Sequence, residues 1–260
     1  MLQKAGEECG SSGQYGEDGL VLPRDGGPQS GQEPEEAEEE EEIVKDQILV
    51  LDADSPMGEQ VVLQLILARA KIKAVVRDGA AASAGFGPYI QAVQGLAGDS
   101  RMLRAALRGV RVVVCCGRME PGLLPAAAAA GVQHLVLLST VGAPRRGFGA
   151  LFGGGEQAVL GDAGRQQAAL SSGVPCTVVQ VGSLLDQPGG SAELSLTVGS
   201  APAGEICRED AARVLARVAT GEPPAGRSLV LQAQQAQQSS SLSEGWESML
   251  DSLMQQQTAA

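Results

Sequence analysis

The amino-acid sequence predicts an α/β domain with a doubly wound, mostly parallel sheet. From Gln47 to about Gln232, short apolar segments alternate with stretches of helical periodicity. The apolar segments are almost continuously hydrophobic, as expected of strands that helices cover on both faces. Aromatic residues make up only 2% of the chain. The core must therefore consist of Val, Leu, Ile and Ala, which suits helices packed on a parallel sheet.

The elements follow one another in a regular order, each strand an apolar run and each helix an amphipathic stretch. The predicted strands cover residues 47–52, 72–77, 90–94, 110–116, 133–139, 175–180 and 227–232. The predicted helices cover residues 57–70, 100–108, 120–131, 155–172 and 208–220. Because right-handed crossovers place the loops that follow the strands at one edge of the sheet, that edge is the expected ligand site.

An acidic arm precedes the domain. Residues 1–42 contain thirteen acidic and two basic residues, so they carry −11 of the formal charge of −12. Such a segment cannot bury enough apolar surface to offset its chain entropy, and we expect it to be disordered. It is either a solvated spacer or a docking site for a basic partner. The domain at 43–232 is nearly neutral, so nucleic-acid binding is not indicated.

Two further segments follow the domain. Residues 233–241 form a Gln/Ser linker, and residues 242–255 are predicted to form a short amphipathic helix. Its apolar side chains recur at helical spacing; they are Leu242, Trp246, Met249, Leu250 and Leu253. This helix either packs back on the domain, which would cover the single tryptophan, or contacts a partner.

The composition also excludes some classes of protein. No apolar run reaches the roughly 18 uninterrupted residues of a membrane span, and the acidic N-terminus is unlike a signal or transit peptide. The cysteines Cys9, Cys115, Cys116, Cys176 and Cys207 have no metal-ligand spacing. We expect buried free thiols in a reducing compartment and no metal, with redox sensitivity of Cys115 or Cys116 as the alternative.

The turn after the first strand has the position of a dinucleotide-binding turn but few of its glycines. In LDADSPMG, Asp52 and Ser55 occupy the first two glycine positions and only Gly58 keeps the third. Asp52 and Asp54 would place negative charge where a pyrophosphate rests, at the N-terminus of the first helix. Either the site still holds a dinucleotide, mainly through its adenosine half, or the polar side chains cap the helix themselves and the pocket stays empty.

The residues that follow the second and third strands extend this candidate site. Arg77 ends the second strand in AVVRD, where an arginine suits the 2′-phosphate of NADP better than the ribose hydroxyls of NAD. It is otherwise a solvated charge. Gly98 and Asp99 either contact the adenine edge or form the turn and cap of the next helix.

Several segments in this order resemble the atypical short-chain dehydrogenase/reductase family, and in particular its NmrA-like NAD(P)-binding proteins of plant and algal plastids. They are VVRD, GLAGD, LRGVRVVVCCG, AAAAAGVQHLVLLSTVGA, SSGVPCTVVQVGSLLDQPGG and REDAARVLARVAT. The resemblance implies a Rossmann-type fold, an NADP preference and a chloroplast location. It implies a cofactor cleft formed by Asp52, Ser55, Met57, Gly58, Arg77, Asp99, Cys116, Gly117 and Ser139.

The resemblance also supplies a criterion for activity. Reductases of the family carry a Tyr-x-x-x-Lys pair on the helix after the serine strand, with the tyrosine as proton donor. Ser139 and Thr140 match the serine position, but in the best register Leu160 replaces the tyrosine and Gly164 the lysine, with Arg165 one place away. The family's Arg-Pro-Gly after the next strand here reads Gln-Val-Gly at 180–182.

Other chemistry has little support. The single histidine, His134, lies at the start of its strand, away from Ser139, so a Ser/His/Asp hydrolase is excluded. The loop Arg145–Phe152 combines two arginines with two of the three phenylalanines. It is either a docking surface for a partner protein or a disordered lid.

The sequence therefore favours a non-catalytic scaffold, assembly or redox-sensing protein that binds NADP(H) weakly or not at all. Its partner contacts are expected at the Arg145–Phe152 loop, the acidic arm or the C-terminal helix. The alternatives are an NADPH-dependent reductase of unknown substrate and an interaction module with an empty cleft.

Overall fold

Eight strands, supplied by the apolar segments, form one sheet in the computed structural model. The structure describes residues 44–96, 98–141, 155–156, 158–199, 204–224, 228–236 and 245–256. The strands of the large sheet are β1 (Gln47–Leu51), β2 (Ile72–Val76), β3 (Ile90–Gln94), β4 (Val110–Cys115), β5 (His134–Thr140), β6 (Cys176–Val181), β8 (Leu194–Val198) and β10 (Leu229–Gln235). Two short strands, β7 (Leu184–Leu185) and β9 (Ile206–Cys207), pair separately.

The strand order is β3-β2-β1-β4-β5-β6-β10-β8, and every neighbouring pair is parallel except β10 with β8. From β1 the chain moves outward to β2 and β3, then returns to β4 and continues in the other direction. This is a doubly wound sheet with a switch point between β1 and β4. The predicted fold class is confirmed.

Helices cover both faces of the sheet. The described helices are α1 (Pro56–Leu67), α2 (Gly79–Phe86), α3 (Ser100–Ala106), α4 (Leu123–Ala129), α5 (Ala163–Leu170), α6 (Arg208–Thr220) and α7 (Trp246–Gln256). The buried side chains of α1, α2, α6 and α7 share one core cluster with one face of the strands. Those of α3, α4 and α5 share a second cluster with the other face. Both clusters consist mainly of Val, Leu, Ile and Ala, as the composition predicts.

Side-chain caps determine where four of these helices begin. Ser55 accepts a hydrogen bond from the N–H of Gly58 at the start of α1. Asp78, Asp99 and Asp162 cap α2, α3 and α5 in the same way. Each oxygen satisfies a backbone donor that the first helical turn leaves unpaired.

The structure differs from the predicted elements in several places. The helix predicted at 155–172 is interrupted at Gly161, because the Asp162 side chain caps a new helix, α5. Helix α2 was not predicted, since its sequence GAAASAGF consists of small residues with little amphipathic contrast. Strand β10 continues to Gln235, into the predicted linker, because its last residues pair with the antiparallel edge strand β8.

Helix α7 packs back on the domain. Leu250 is buried in the same core cluster as α1 and α6, and Trp246, Met249, Leu253 and Met254 pack against that cluster. Arg213 of α6 lies 5.4 Å above the centre of the Trp246 ring. Arg217 donates a hydrogen bond of 2.6 Å to Asp251. The helix begins at Trp246, four residues later than the sequence predicts.

The acidic arm at 1–42 and the loop Arg145–Phe152 lie outside the described residues, so the predictions made for them stay predictions. Among the residues that the structure does describe, none of the helices combines the length and the apolar character needed to cross a bilayer.

Candidate functional site

The candidate site lies where the strand order reverses. Asp52 follows β1 and Gly117 comes two residues after β4, the two central strands of the switch point. In open α/β sheets, ligands bind in the crevice at the carboxyl ends of the strands at this point. The predicted residues Asp52, Ser55, Gly58, Arg77 and Gly117 all lie at this edge of the sheet.

Asp52 takes the backbone conformation that the first glycine of a dinucleotide turn normally supplies. Its φ is +52°, in the left-handed region, which aspartate tolerates better than most residues. The turn therefore keeps its shape without its glycine. The cost is a side chain inside the crevice: the carboxylate lies directly against Gly117, and it accepts a hydrogen bond from the N–H of Arg118. Asp52 thus bridges the loops that follow β1 and β4.

The electrostatic surroundings of Asp52 disfavour its negative charge. Burial raises the pKa of the Asp52 carboxyl above its usual value, and the charges of Asp54 and Glu120 raise it further. The hydrogen bond from Arg118 and the charge of Arg77 lower the pKa, but they do not compensate fully. An incoming pyrophosphate would meet the ionised form of this carboxyl and would be repelled by it.

The rest of the turn is engaged in holding α1. The Ser55 hydroxyl is occupied by the N–H of Gly58 at 3.0 Å. Gly58 itself packs so closely on the turn that a Cβ atom there would overlap the Asp52 carbonyl oxygen and approach the Ala53 Cα to 2.7 Å. Gly58 therefore performs the helix-to-strand packing role of the third glycine. The Met57 side chain is buried in the core, so only its backbone is left to contact a cofactor.

Arg77 lies at the end of β2, and its guanidinium is bound to Asp54. The Nε atom donates to Asp54 Oδ2 at 2.7 Å, and the backbone N–H of Arg77 donates to the same oxygen at 3.1 Å. Partial burial alone would raise the pKa of Asp54, but these hydrogen bonds and the charge of Arg77 outweigh burial and lower it. The Arg77 side chain remains 71% exposed.

A cavity of about 240 Å³ adjoins this ion pair. Its walls are Asp52, Asp54, Ser55, Val75, Val76, Arg77, Gly95 and Leu96. It lies at the carboxyl ends of β1, β2 and β3, where the adenosine half of a dinucleotide would rest. Two valines and Leu96 offer an apolar surface to a base, and Arg77 offers a cation at the rim. The cavity contains two carboxylates, however, which oppose a phosphate.

Two other predicted residues have different surroundings. Asp99 accepts hydrogen bonds from the N–H groups of Arg101 and Met102 as the cap of α3, and it does not line this cavity. The Cys116 side chain is buried, 1% exposed, in the core cluster on the α1 side of the sheet.

The serine strand β5 ends beside an apolar residue where the family's tyrosine is expected. The Ser139 hydroxyl donates to the carbonyl of Leu160 at 3.1 Å. The Leu160 side chain has no exposed surface and belongs to the core. Ser139 and Thr140 are also buried, at 3% and 7% exposure, so the serine position lies beneath the cleft surface.

A row of amides, missed in the sequence, extends from Ser139 across β6 and β10. Gln180 donates to Gln166 Oε1 at 2.8 Å, and the Ser139 hydroxyl oxygen lies 3.4 Å from the same oxygen. Gln232 of β10 donates to Gln180 at 3.4 Å. The strand register could have revealed part of this row, because Ser139, Gln180 and Gln232 lie opposite one another in β5, β6 and β10. Amides neither donate protons as acids nor carry charge, so this side of the site is polar but neutral.

His134 has a structural role. Burial, with the charge of Arg111, lowers its pKa to about 4, and its Nε2 lies 2.8 Å from the Thr177 hydroxyl. It occupies the amino end of β5, the opposite end from Ser139. Within the described ranges, no cluster of three or more His, Cys, Asp or Glu side chains could hold a metal ion.

Solved structures with this fold are numerous but distant in sequence. A Rossmann-fold NAD(P)-binding family protein from Shigella flexneri is 18% identical, with a TM-score of 0.56, over 76% of this chain and 98% of the other. An anaerobillin reductase from Escherichia coli is 16% identical, with a TM-score of 0.60, over 75% and 100%. A wide-type short-chain dehydrogenase/reductase from Veillonella parvula, crystallised with NADP, is 14% identical, with a TM-score of 0.58, over 74% and 95%.

These identities show the fold alone, and a search of curated proteins found no match. The sequence profile of the NAD(P)H-binding family, in contrast, matches residues 53–222, which is more than half of the chain. The matched range begins in the turn after β1 and ends after α6, so it includes nearly all of the cleft. The chain therefore belongs to the NAD(P)H-binding family.

Proposed function

We propose that this protein is a non-catalytic member of its family, a scaffold, assembly or sensing factor that binds NADP(H) weakly in a cleft no longer used for hydride transfer. The observation that carries the proposal is Leu160. In the register of the resembling family it stands at the tyrosine position; its backbone carbonyl accepts the Ser139 hydroxyl, and its side chain is fully buried. A leucine cannot donate a proton, and Gly164, in the lysine position, cannot hold a nicotinamide ribose.

The geometry of the cleft supports weak binding. The turn keeps its shape through the positive φ of Asp52, and Gly58 keeps the packing of α1 on the sheet. The Asp52 carboxylate nevertheless occupies the crevice, and the Asp54 carboxylate competes with a 2′-phosphate for Arg77. A dinucleotide would therefore bind mainly through its adenosine half, with NADP favoured over NAD by the exposed guanidinium.

Partner binding is the second part of the proposal. The apolar side chains of α7 pack on the domain, so we assign the contact with a partner protein to the Arg145–Phe152 loop and the acidic arm. The loop combines cations with aromatic rings, and the acidic arm carries a formal charge of −11. The resemblance to plastid proteins favours a chloroplast location, which a fluorescent fusion expressed in an algal cell would test.

The test of the proposal is NADPH oxidation by the full chain with a panel of ketones, aldehydes, quinones and conjugated enones. We expect NADPH to be oxidised no faster than in a control without protein. Ser139→Ala is the matched variant, because it removes the retained serine hydroxyl alone. Acceptor-dependent NADPH oxidation by the wild type that disappears in Ser139→Ala would overturn the proposal in favour of a reductase.

A further inference from the structure

Arg165 of α5 is a buried cation whose hydrogen-bond acceptors are backbone carbonyls. Its side chain is only 6% exposed. Nη1 donates to the carbonyl of Leu138 at 2.6 Å, and Nη2 donates to the carbonyl of Cys115 at 3.2 Å. Nε is buried and has no acceptor. Across the described part of the chain, no carboxylate lies within ion-pair distance of this guanidinium.

This arrangement is incomplete on physical grounds. A charge removed from water is normally paired with an opposite charge, because neutral acceptors satisfy hydrogen bonds without cancelling the charge. The carbonyls of Leu138 and Cys115 orient the guanidinium at the ends of β5 and β4, but leave its positive charge uncompensated. An anion that binds beside Arg165 would complete the site.

A cavity beside Arg165 could admit such an anion. It has a volume of about 770 Å³ and lies between the loop that leads into α4 and the helical segment that contains α5. Arg118 and Arg165 are its two cations. Met119, Leu124, Val159 and Ala168 contribute an apolar wall. Its volume and mixed lining are those of sites for small organic molecules.

The two acids of this cavity do not neutralise its arginines. Asp162 is the cap of α5 and accepts the N–H of Gly164 at 2.8 Å. Glu120 is directed toward Gly98, since its Oε2 lies 3.7 Å from the position of a Cβ atom there. Neither acid forms an ion pair with Arg118 or Arg165 in the described ranges. The cavity therefore presents cationic side chains beside an apolar surface.

We propose that this cavity is a binding site for a small organic carboxylate, whose charged group pairs with Arg165 and Arg118 and whose hydrocarbon body packs on the apolar wall. The site shares no lining residue with the cavity at Asp54 and Arg77, where the adenosine half of a dinucleotide would rest. The proposal goes beyond NADP(H) binding and does not depend on it.

The test is titration calorimetry of the full chain with hexanoate. Hexan-1-ol is the uncharged analogue, and inorganic phosphate is the anion that lacks a hydrocarbon chain. We expect hexanoate to bind with a Kd below about 1 mM, and Arg165→Met and Arg118→Gln each to weaken it about tenfold or more. Arg101→Gln, on α3 outside the cavity, is the matched control and should leave the Kd unchanged. Hexan-1-ol and phosphate should bind at least about tenfold more weakly.

Arg165→Met also has a predicted effect on the melting temperature, which can be measured without a ligand. Because it removes an uncompensated buried charge and keeps an apolar side chain, the unliganded variant should melt at the same or a higher temperature than the wild type. If Arg165→Met does not fold, the hexanoate titration relies on Arg118→Gln, because Arg118 is exposed and its substitution should not affect folding.

Three results would overturn the proposal. The first is that folded wild-type protein shows no heat of hexanoate binding at concentrations up to about 10 mM. The second is an unchanged Kd in both arginine variants. The third is displacement of hexanoate by NADPH, which would place the anion in the dinucleotide site.

Discussion

The carboxylate of Asp52 lies against Gly117, and a single methyl group added at Gly117 would collide with it. This contact closes the crevice between β1 and β4, where members of the NAD(P)H-binding family are expected to hold a pyrophosphate. The fold of the cleft is thus retained while its centre carries a negative charge. The strength of dinucleotide binding should depend on this one carboxyl group more than on any other described residue.

The affinity for NADP⁺ should increase as the pH falls. Burial raises the pKa of Asp52 above the usual 3.8, so the carboxyl takes up its proton at a higher pH than an exposed aspartate does. Protonation removes the repulsion of the pyrophosphate. Calorimetric titrations at successively lower pH, within the range in which the protein stays folded, should show a falling Kd in the wild type. Asp52→Asn controls for titration of the ligand, and an identical pH profile in this variant would contradict the assignment to Asp52.

Asp54→Asn should strengthen the preference for NADPH over NADH. The substitution removes the charge that pairs with Arg77, at 2.7 Å from its Nε, and leaves the guanidinium available to a 2′-phosphate. We expect NADPH to bind roughly three- to tenfold tighter, with a smaller change for NADH. Arg77→Ala should abolish the preference, whereas Lys71→Ala, at the opposite end of β2, should not. An equal increase in the affinities for NADPH and NADH would show that Arg77 does not contact the 2′-phosphate.

Gly58→Ala should destabilise the domain. The new methyl group would overlap the Asp52 carbonyl oxygen and lie 2.7 Å from the Ala53 Cα, so α1 must move away from the sheet. We expect a loss of about 2–3 kcal/mol in the free energy of unfolding, measured by urea denaturation. Gly85→Ala in α2, where a Cβ atom meets nothing within 4 Å, is the control. It should be neutral or stabilising by about 0.4–1 kcal/mol, and equal losses at both glycines would refute the packing argument.

The buried thiols should be unreactive in the folded protein. Burial raises the pKa of Cys115 and Cys116 despite the nearby charge of Arg165, and it raises that of Cys176 to about 12. With Cys9→Ser to remove the thiol of the arm, a disulfide reagent should modify none of the remaining cysteines until the protein is unfolded, when all four react. Rapid modification of Cys115 or Cys116 in the native state would instead support redox sensing.

Much of the fold was predictable because its strands are buried on both faces. Segments such as QILVL and VRVVVC are apolar throughout, and their spacing leaves room for one helix between them. The edge strand β8 was missed because LSLTV is short and half exposed. Strand β10 was predicted to end too early, because its glutamines resemble a linker until their pairing with β8 is known.

The site was predictable only as far as local sequence determines it. The turn placed Asp52, Ser55 and Gly58 correctly at the switch point, since chain order fixes their positions after β1. The partner of Arg77 was not predictable, because Asp54 lies 23 residues away and their contact depends on the pairing of β1 with β2. The same applies to Arg165, the one arginine of α5: an arginine on a helix is usually exposed, and only the packing of α5 buries this one.

The most direct test of the account is a comparison of NADPH binding to the wild type, Asp52→Gly and Asp52→Asn by titration calorimetry at neutral pH. We predict a wild-type Kd weaker than about 100 μM and a gain of about tenfold or more in both variants. Both variants remove the charge and tolerate the left-handed φ of +52°. Wild-type binding tighter than about 10 μM that neither substitution improves would contradict the account, because the Asp52 carboxylate would then be no obstacle to the dinucleotide.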